Sequence, residues 1–351
     1  MKAAEGERST GRTLPTGHML VYASGLLGLL LALVLVLHEG ARSILQILAH
    51  SGWALLWLLP FHFLPLGLDV LSWKWLLRGE DRAGFWYLLW VAAVRESVNG
   101  LLPVARVGGE VVGARLLSRH GVPGYLGGAS IMVEITLTLV SQFLFTLLGL
   151  VILVYAISDH AMELAVLLAL AFMVPVMLGF LWVQHRWGFF QILQRLMKML
   201  LGGKDLLLRL GDPALLDAEI RTLYGQRWAL VIPVFWQCMG LLAGALEVWF
   251  TFWILGHPVP LWAAVLMESL GQALRSAAFL VPGGIGIQEG GFVLFGAAAG
   301  IGPDLALAFS LARRFRELVL GGPVLLSWQA LEGHHLHRKW RQAQTPKGEA
   351  S

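Results

Sequence analysis

Cysteine is all but absent from this chain: 351 residues hold one, Cys238, set inside an apolar run. That excludes a disulfide framework and a cysteine-built metal cluster. Charge is scarce as well. Asp, Glu, Lys and Arg make up 14% of the chain against 57% hydrophobic residues, where soluble globular chains are about a quarter charged. A soluble fold is therefore excluded. No Ser-His-Asp order, His-Glu-x-x-His pair or phosphate loop occurs, so the motifs of a soluble catalytic domain are missing. The glycines around Gly284 and Gly286 lack the strand and βαβ unit that a dinucleotide fingerprint needs. The net charge of +4 comes from loop cations, as the topology below makes plain, and no nucleic-acid partner is expected.

What the chain has is apolar length. Several runs exceed the roughly 18 residues that mark a membrane span, and the class expected is an all-α polytopic membrane protein. Six full spans are read at about 19–37, 53–76, 125–156, 162–183, 228–255 and 304–331. The first follows a polar leader, 1–18, but is longer than a signal-peptide core and lacks a small-x-small cleavage site; it is read as an uncleaved span. The membrane domain is 19–331, and 332–351 is a basic tail. Two pairs of shorter segments remain, 85–102 with 107–117 and 261–281 with 287–301. Each pair is joined at a break, Pro103 in the first and Pro282-Gly283-Gly284 in the second. Re-entrant helical hairpins fit them better than full spans, since irregular backbone at membrane depth survives only beside protein or water.

The two hairpins look like copies. Pro103 precedes Glu110 by seven positions, and Pro282 precedes Glu289 by seven. Arg95 and Arg275 stand ahead of the prolines, with Asp69 and Glu247 further upstream. Downstream, Pro123 precedes Glu134 by eleven and Pro303 precedes Arg314 by eleven. The positive-inside rule orients them. Lys2, Arg8 and Arg12 place the N-terminus in the cytoplasm, with Lys74, Arg82, Arg115, Arg119, the 186–227 stretch and Arg338-Lys339 on the same side. The loops at 158–160 and 256–260 carry no Lys or Arg, and only Arg42 departs from the pattern. One hairpin then enters from each face, so 69–141 and 247–321 are expected to be inverted repeats about an axis in the membrane plane.

Ionisable residues at membrane depth cost roughly 2.5–3.5 kcal/mol each at the bilayer centre. Asp69, Glu96, Glu110, Glu134, Glu247, Glu268, Glu289, Glu317, Arg95, Arg275, Arg313, Arg314 and Arg316 all fall there, and must pair or line a hydrated cavity. Glu134 and Arg314, at equivalent positions of the two halves, are expected to pair across the axis. Arg316 and Glu317 are expected to snorkel near a helix end. Pro103 and Pro282-Gly283-Gly284 break helices, with Gly108, Gly109 and Gly286 at the start of each second half-helix. Those free N–H groups would favour an anion such as a lipid phosphate. Glu110 and Glu289, just inside, read either as caps or as groups that bind a proton, a cation or a substrate hydroxyl or amine. Pairs such as Gly109/Gly113 and Gly240/Gly244 are helix-packing faces. The 186–227 linker reads as an amphipathic helix on anionic lipid, and His334-His335-x-His337 as a solvated tail rather than a metal site.

The stretch Glu96-Ser97-Val98-Asn99-Gly100-Leu101-Leu102-Pro103-Val104-Ala105-Arg106-Val107-Gly108-Gly109-Glu110 resembles the transmembrane, flippase-like region of the lysylphosphatidylglycerol synthase family. Gly283-Gly284-Ile285-Gly286-Ile287-Gln288-Glu289-Gly290 is similar to that family's second signature. The nearest look is to HpnL-type members, associated with bacterial hopanoid biosynthesis. The bifunctional synthases append a soluble aminoacyl-transferase domain; the chain stops soon after its last span, so lysyl transfer is not expected. The resemblance implies a multi-pass protein of the bacterial cytoplasmic membrane that moves a polar-headed lipid, a hopanoid or an (amino)phospholipid, between leaflets. Its implied partners are membrane lipids and hopanoid-biosynthesis proteins. On this reading Arg95, Arg106, Arg275, Arg313 and Arg314 steer the headgroup, with Glu96, Asn99 and Gln288 beside them. Glu110, Glu134 and Glu289 bind a coupling proton or cation, the sole cofactor expected. A lipid-modifying intramembrane enzyme and a non-catalytic scaffold are the alternatives.

Overall fold

The computed structural model describes residues 48–77, 79–102, 108–156, 213–277 and 286–344, with positions 46 and 175. The expected spans at 19–37 and 162–183, linker residues 186–212, Pro103, Arg106, Pro282, Gly283 and Gly284 lie outside the described residues. Among the described residues all regular structure is helical. A 3₁₀ turn, Gly52–Trp57, leads into α1 (Leu58–Leu76); α2 (Phe85–Leu101), α3 (Gly108–Arg119) and α4 (Gly124–Ala156) follow. After α5 (Pro213–Gly225) come α6 (Arg227–Ile254), α7 (Leu261–Ala277), α8 (Ile287–Ala298) and α9 (Pro303–Gln344). Three helical stretches are long and apolar enough to cross a membrane: Leu48–Leu76, Gly124–Ala156 and Leu230–Ile254.

Proline and glycine set the helix ends. Leu102, the residue before Pro103, is extended (φ −106°, ψ 147°), as crowding by the proline ring requires. α3 closes on Gly121 (φ +93°) and α8 on Gly300 (φ +70°). In both, the next residue's N–H reaches back to close the same C-terminal motif, Val122 to Leu117 O (3.1 Å) and Ile301 to Gly296 O (2.8 Å). Only glycine adopts that left-handed turn without strain. One expectation fails here: α9 does not stop near residue 331 but continues as helix to Gln344, through part of the expected tail.

The packing repeats as well. Exchanging α1–α4 for α6–α9 maps each principal contact among these eight helices onto another. Thus α2 packs on α9 as α7 packs on α4, and α3 on α4 as α8 on α9. α1 and α6 cross antiparallel, His62 against Glu247 and Asp69 against Gly240. Those two contacts are images of each other, which puts the exchange axis between these helices.

Each half has its own apolar core. Trp73, Leu88, Val91, Val94, Leu117 and Ile131 form one. Phe252, Met267, Phe292 and Phe309 form the other, joined by Leu55 and Leu58, with Phe252 and Phe309 stacked at 4.9 Å. α5 seats Leu216, Ile220 and Leu223 against Ala129, Val133 and Leu137 of α4. Outward, α6 exposes Val231, Phe235, Leu242, Leu246, Trp249 and Trp253, a stripe at helical spacing that suits lipid contact.

Candidate functional site

Between the two cores lies a cavity of about 1120 Å³, lined from α1, α2, α3, α4, α6, α7 and α9. Seven of the residues expected to form a site line it: Arg95, Glu96, Asn99, Glu110, Glu134, Arg275 and Arg313. So do His62, Asp69, Glu247, Glu268 and Arg316. Along α4 it reaches from Gly128 to Gln142, about 21 Å at helical rise. Arg115, Ser118 and Arg119 of α3 line its other walls. Beyond Glu134 the lining turns neutral. Ser141 donates to Gln237 Oε1 (3.1 Å), and Gln237 Nε2 donates to Thr138 (2.9 Å).

Arg95 ties the first half together. Its guanidinium lies 4.6 Å from the Trp73 ring centroid, donates to Glu134 at 2.8 Å, and donates also to Glu110. Three helices thus meet on one fork of donors, the geometry arginine supplies and lysine does not. The approach depends on small residues in α3. A Cβ at Gly113 would sit 2.7 Å from Arg95 Cδ, and one at Gly109 would sit 2.4 Å from the Arg95 carbonyl oxygen. Gly109→Val should therefore push α3 off α2 and sharply reduce folded yield, while Gly100→Ala, with open space around the new methyl, should leave yield unchanged. Fluorescence size-exclusion in detergent reads both.

The second half uses the same helices with the charges redistributed. Arg314 on α9 donates to Glu289 of α8 (3.3 Å) and to Glu317 (3.0 Å), while Arg275 lies 4.0 Å from Glu317. Arg313 grips Glu268 of α7 through two bonds, 2.6 and 3.2 Å. The expected Glu134–Arg314 pair across the axis is therefore replaced: each finds its partner inside its own half. The long helices carry opposite charges at the equivalent position, and the hairpin arms beside them complement each.

Arg316 does not snorkel. It is 2% exposed, donates to Glu247 and lies against His62, because α9 continues well past it and leaves no nearby helix end. Glu317 is likewise held inside by Arg314 and Arg275. His62 completes the row, with Nδ1 2.9 Å from Glu247 and Nε2 3.0 Å from Glu96. Glu96, His62, Glu247 and Arg316 thus run from α2 through α1 and α6 to α9, linking the halves. His62 and Arg316 were not among the residues expected to form the site. The available signal for His62 was a lone ionisable side chain in the middle of an apolar run.

The half-helix N-termini are occupied by the protein's own side chains. Gly109 N–H donates to Asn99 Oδ1 (2.8 Å), and Gly286 N–H to Glu289 Oε2 (2.6 Å). Those first-turn donors are capped, which corrects the expectation that they stand free for a lipid phosphate. Glu289, 3% exposed, also accepts from Ser310 (3.4 Å). Gln288, Glu289 and Arg314 are not among the residues lining the cavity.

A family model for the lysylphosphatidylglycerol synthase TM region matches residues 21–323. The chain belongs to that family. The match spans both halves, both hairpin signatures and the charged cavity between them. Membership of the lysylphosphatidylglycerol synthase TM region makes this a multi-pass membrane protein involved in lipid handling. No curated protein and no solved structure matches the chain.

Proposed function

We propose that the protein is a lipid translocase, which moves a polar-headed lipid between leaflets with the headgroup in the central cavity and the tails in the bilayer. The observation that carries this is the cavity itself, charged at its centre, polar along α4, and set in helices whose outer faces are apolar. Its reach along α4 is about two-thirds of a hydrocarbon core roughly 30 Å thick. The 12-residue α3 and α8 are each about 18 Å long, too short to cross. They fit re-entrant arms, one from each face, beside six full spans. The exchange symmetry of the packing suits two inverted repeats that rock about a fixed site. Arg115 and Arg119 mark the cytoplasmic end by the positive-inside rule, with both termini on that side of a bacterial inner membrane. The cargo is a hopanoid or an (amino)phospholipid, and the protein performs no chemistry on it.

Leaflet exchange in reconstituted liposomes tests this, with a labelled hopanoid, phosphatidylglycerol, its lysyl ester and a polyprenyl phosphate. Wild-type protein should speed exchange of one class. Asp69 faces the cavity and makes no ion pair among the described residues, so Asp69→Asn should fold normally. It should slow that exchange about tenfold, the worth of one hydrogen bond to a charged group. Exchange of no lipid above the protein-free rate would reject the proposal.

A further inference from the structure

A second, smaller cavity of about 120 Å³ lies between α1, α2 and α9. Its walls are the images of walls of the large one. Aligned on Pro103/Pro282, on Pro123/Pro303 and on the α1–α6 crossing, His62 corresponds to Gly240, Leu66 to Gly244, Ala93 to Gln272, Ser97 to Ser276, and Gly321 to Ser141. The first residue of each pair lines the small cavity and the second lines the large one. One fold element thus occurs twice, wide between α4, α6 and α7 and narrow between α9, α1 and α2.

The row Glu96–His62–Glu247–Arg316 divides them. His62, Glu96 and Arg316 line both cavities, so this row of side chains is the wall between. The narrow side is closed by contact of α2 with α9. A Cβ at Gly321 would lie 2.6 Å from Leu101 Cδ1 and 3.3 Å from Ser97 Oγ, and Trp90 donates to Ser327 (3.0 Å) further along the same seam.

We infer that the small cavity is the second headgroup vestibule, shut in this state. It opens when α9 parts from α2 while α4 closes on α7, and the headgroup passes from one lobe to the other across the His62 row. The ligand is the polar lipid headgroup of the proposed function, on which this inference rests. Charge suits it: the small lobe offers Arg275 and Arg316 beside Glu96 and Glu317, with Leu66 and Leu320 for the first carbons of the tails.

Two cysteine pairs in a Cys238→Ser background test it by liposome exchange of the lipid that wild type moves. Ser97→Cys with Gly321→Cys spans the closed seam at disulfide range. Oxidation should stop exchange, and reduction should restore it in the same sample. Ser141→Cys with Ser276→Cys spans the open lobe. It should cross-link only as the protein cycles, and then also stop exchange. If the oxidised first pair exchanges lipid at its reduced rate, or the second pair never cross-links during exchange, the small lobe is a fixed packing void. The inference then falls while the translocase reading stands. No exchange by the wild type or by either reduced pair overturns both.

Discussion

Arg95→Ala should destabilise the protein by about 3–5 kcal/mol, the usual cost of stripping one partner from a buried ionic cluster. The guanidinium is the shared donor of Glu110 and Glu134. Without it, two carboxylates from α3 and α4 face each other beside Trp73. The Asn99 amide, 3.3 Å from Glu110, is the neighbouring donor left. Arg95→Lys should fall between, since an ammonium keeps the charge but neither forks between two carboxylates nor stacks as a plane on the indole. The triple variant Arg95→Leu, Glu110→Gln, Glu134→Gln should regain most of the loss, because replacing a whole buried cluster costs far less than breaking it. Thermal unfolding in detergent orders the series: wild type, triple, Lys, Ala. A single Ala variant that melts with wild type would mean that the cluster is not held as described.

Much of this architecture was legible in the residues, and the reasons are local. α2 ends where Pro103 demands extended backbone, α3 and α8 close on Gly121 and Gly300, and the repeat is written in proline spacing. Such signals act within one helical turn and survive any tertiary context. Side-chain pairing does not, because it depends on how each helix is rotated and on which neighbour lies within reach of a long side chain. Equivalence of Glu134 and Arg314 suggested that they meet at the axis. The axis instead runs between α1 and α6, and the hairpin arms beside each long helix supply the nearer partners. Arg316 was misread for a related reason: its place depends on how far α9 extends, and a polar sequence after residue 331 gave the helix no visible reason to continue. His62 escaped notice because one imidazole barely alters the hydropathy of its run, and its partners lie 34 and 185 positions away. The retreat of Glu289 behind its own helix cap, while Glu110 lines the cavity, is a difference between the halves that matched spacing cannot reveal.

The central claim is that a lipid headgroup travels through the large cavity, and filling that cavity tests it most directly. Thr138 is the place to do so. It lines the cavity one turn beyond Glu134, is exposed to that space, and lies on the neutral polar track. An indole there projects into open volume rather than into a packed core, so Thr138→Trp should fold and elute as wild type does. Its sole printed tie, the hydrogen bond from Gln237, is worth only about 1 kcal/mol. The measurement is leaflet exchange of the lipid that wild type moves, in liposomes with matched amounts of folded wild-type and Thr138→Trp protein. The expected result is exchange at the protein-free rate for Thr138→Trp against rapid exchange for wild type. Equal exchange by the two, with both proteins folded, would place the path outside the cavity and contradict the account.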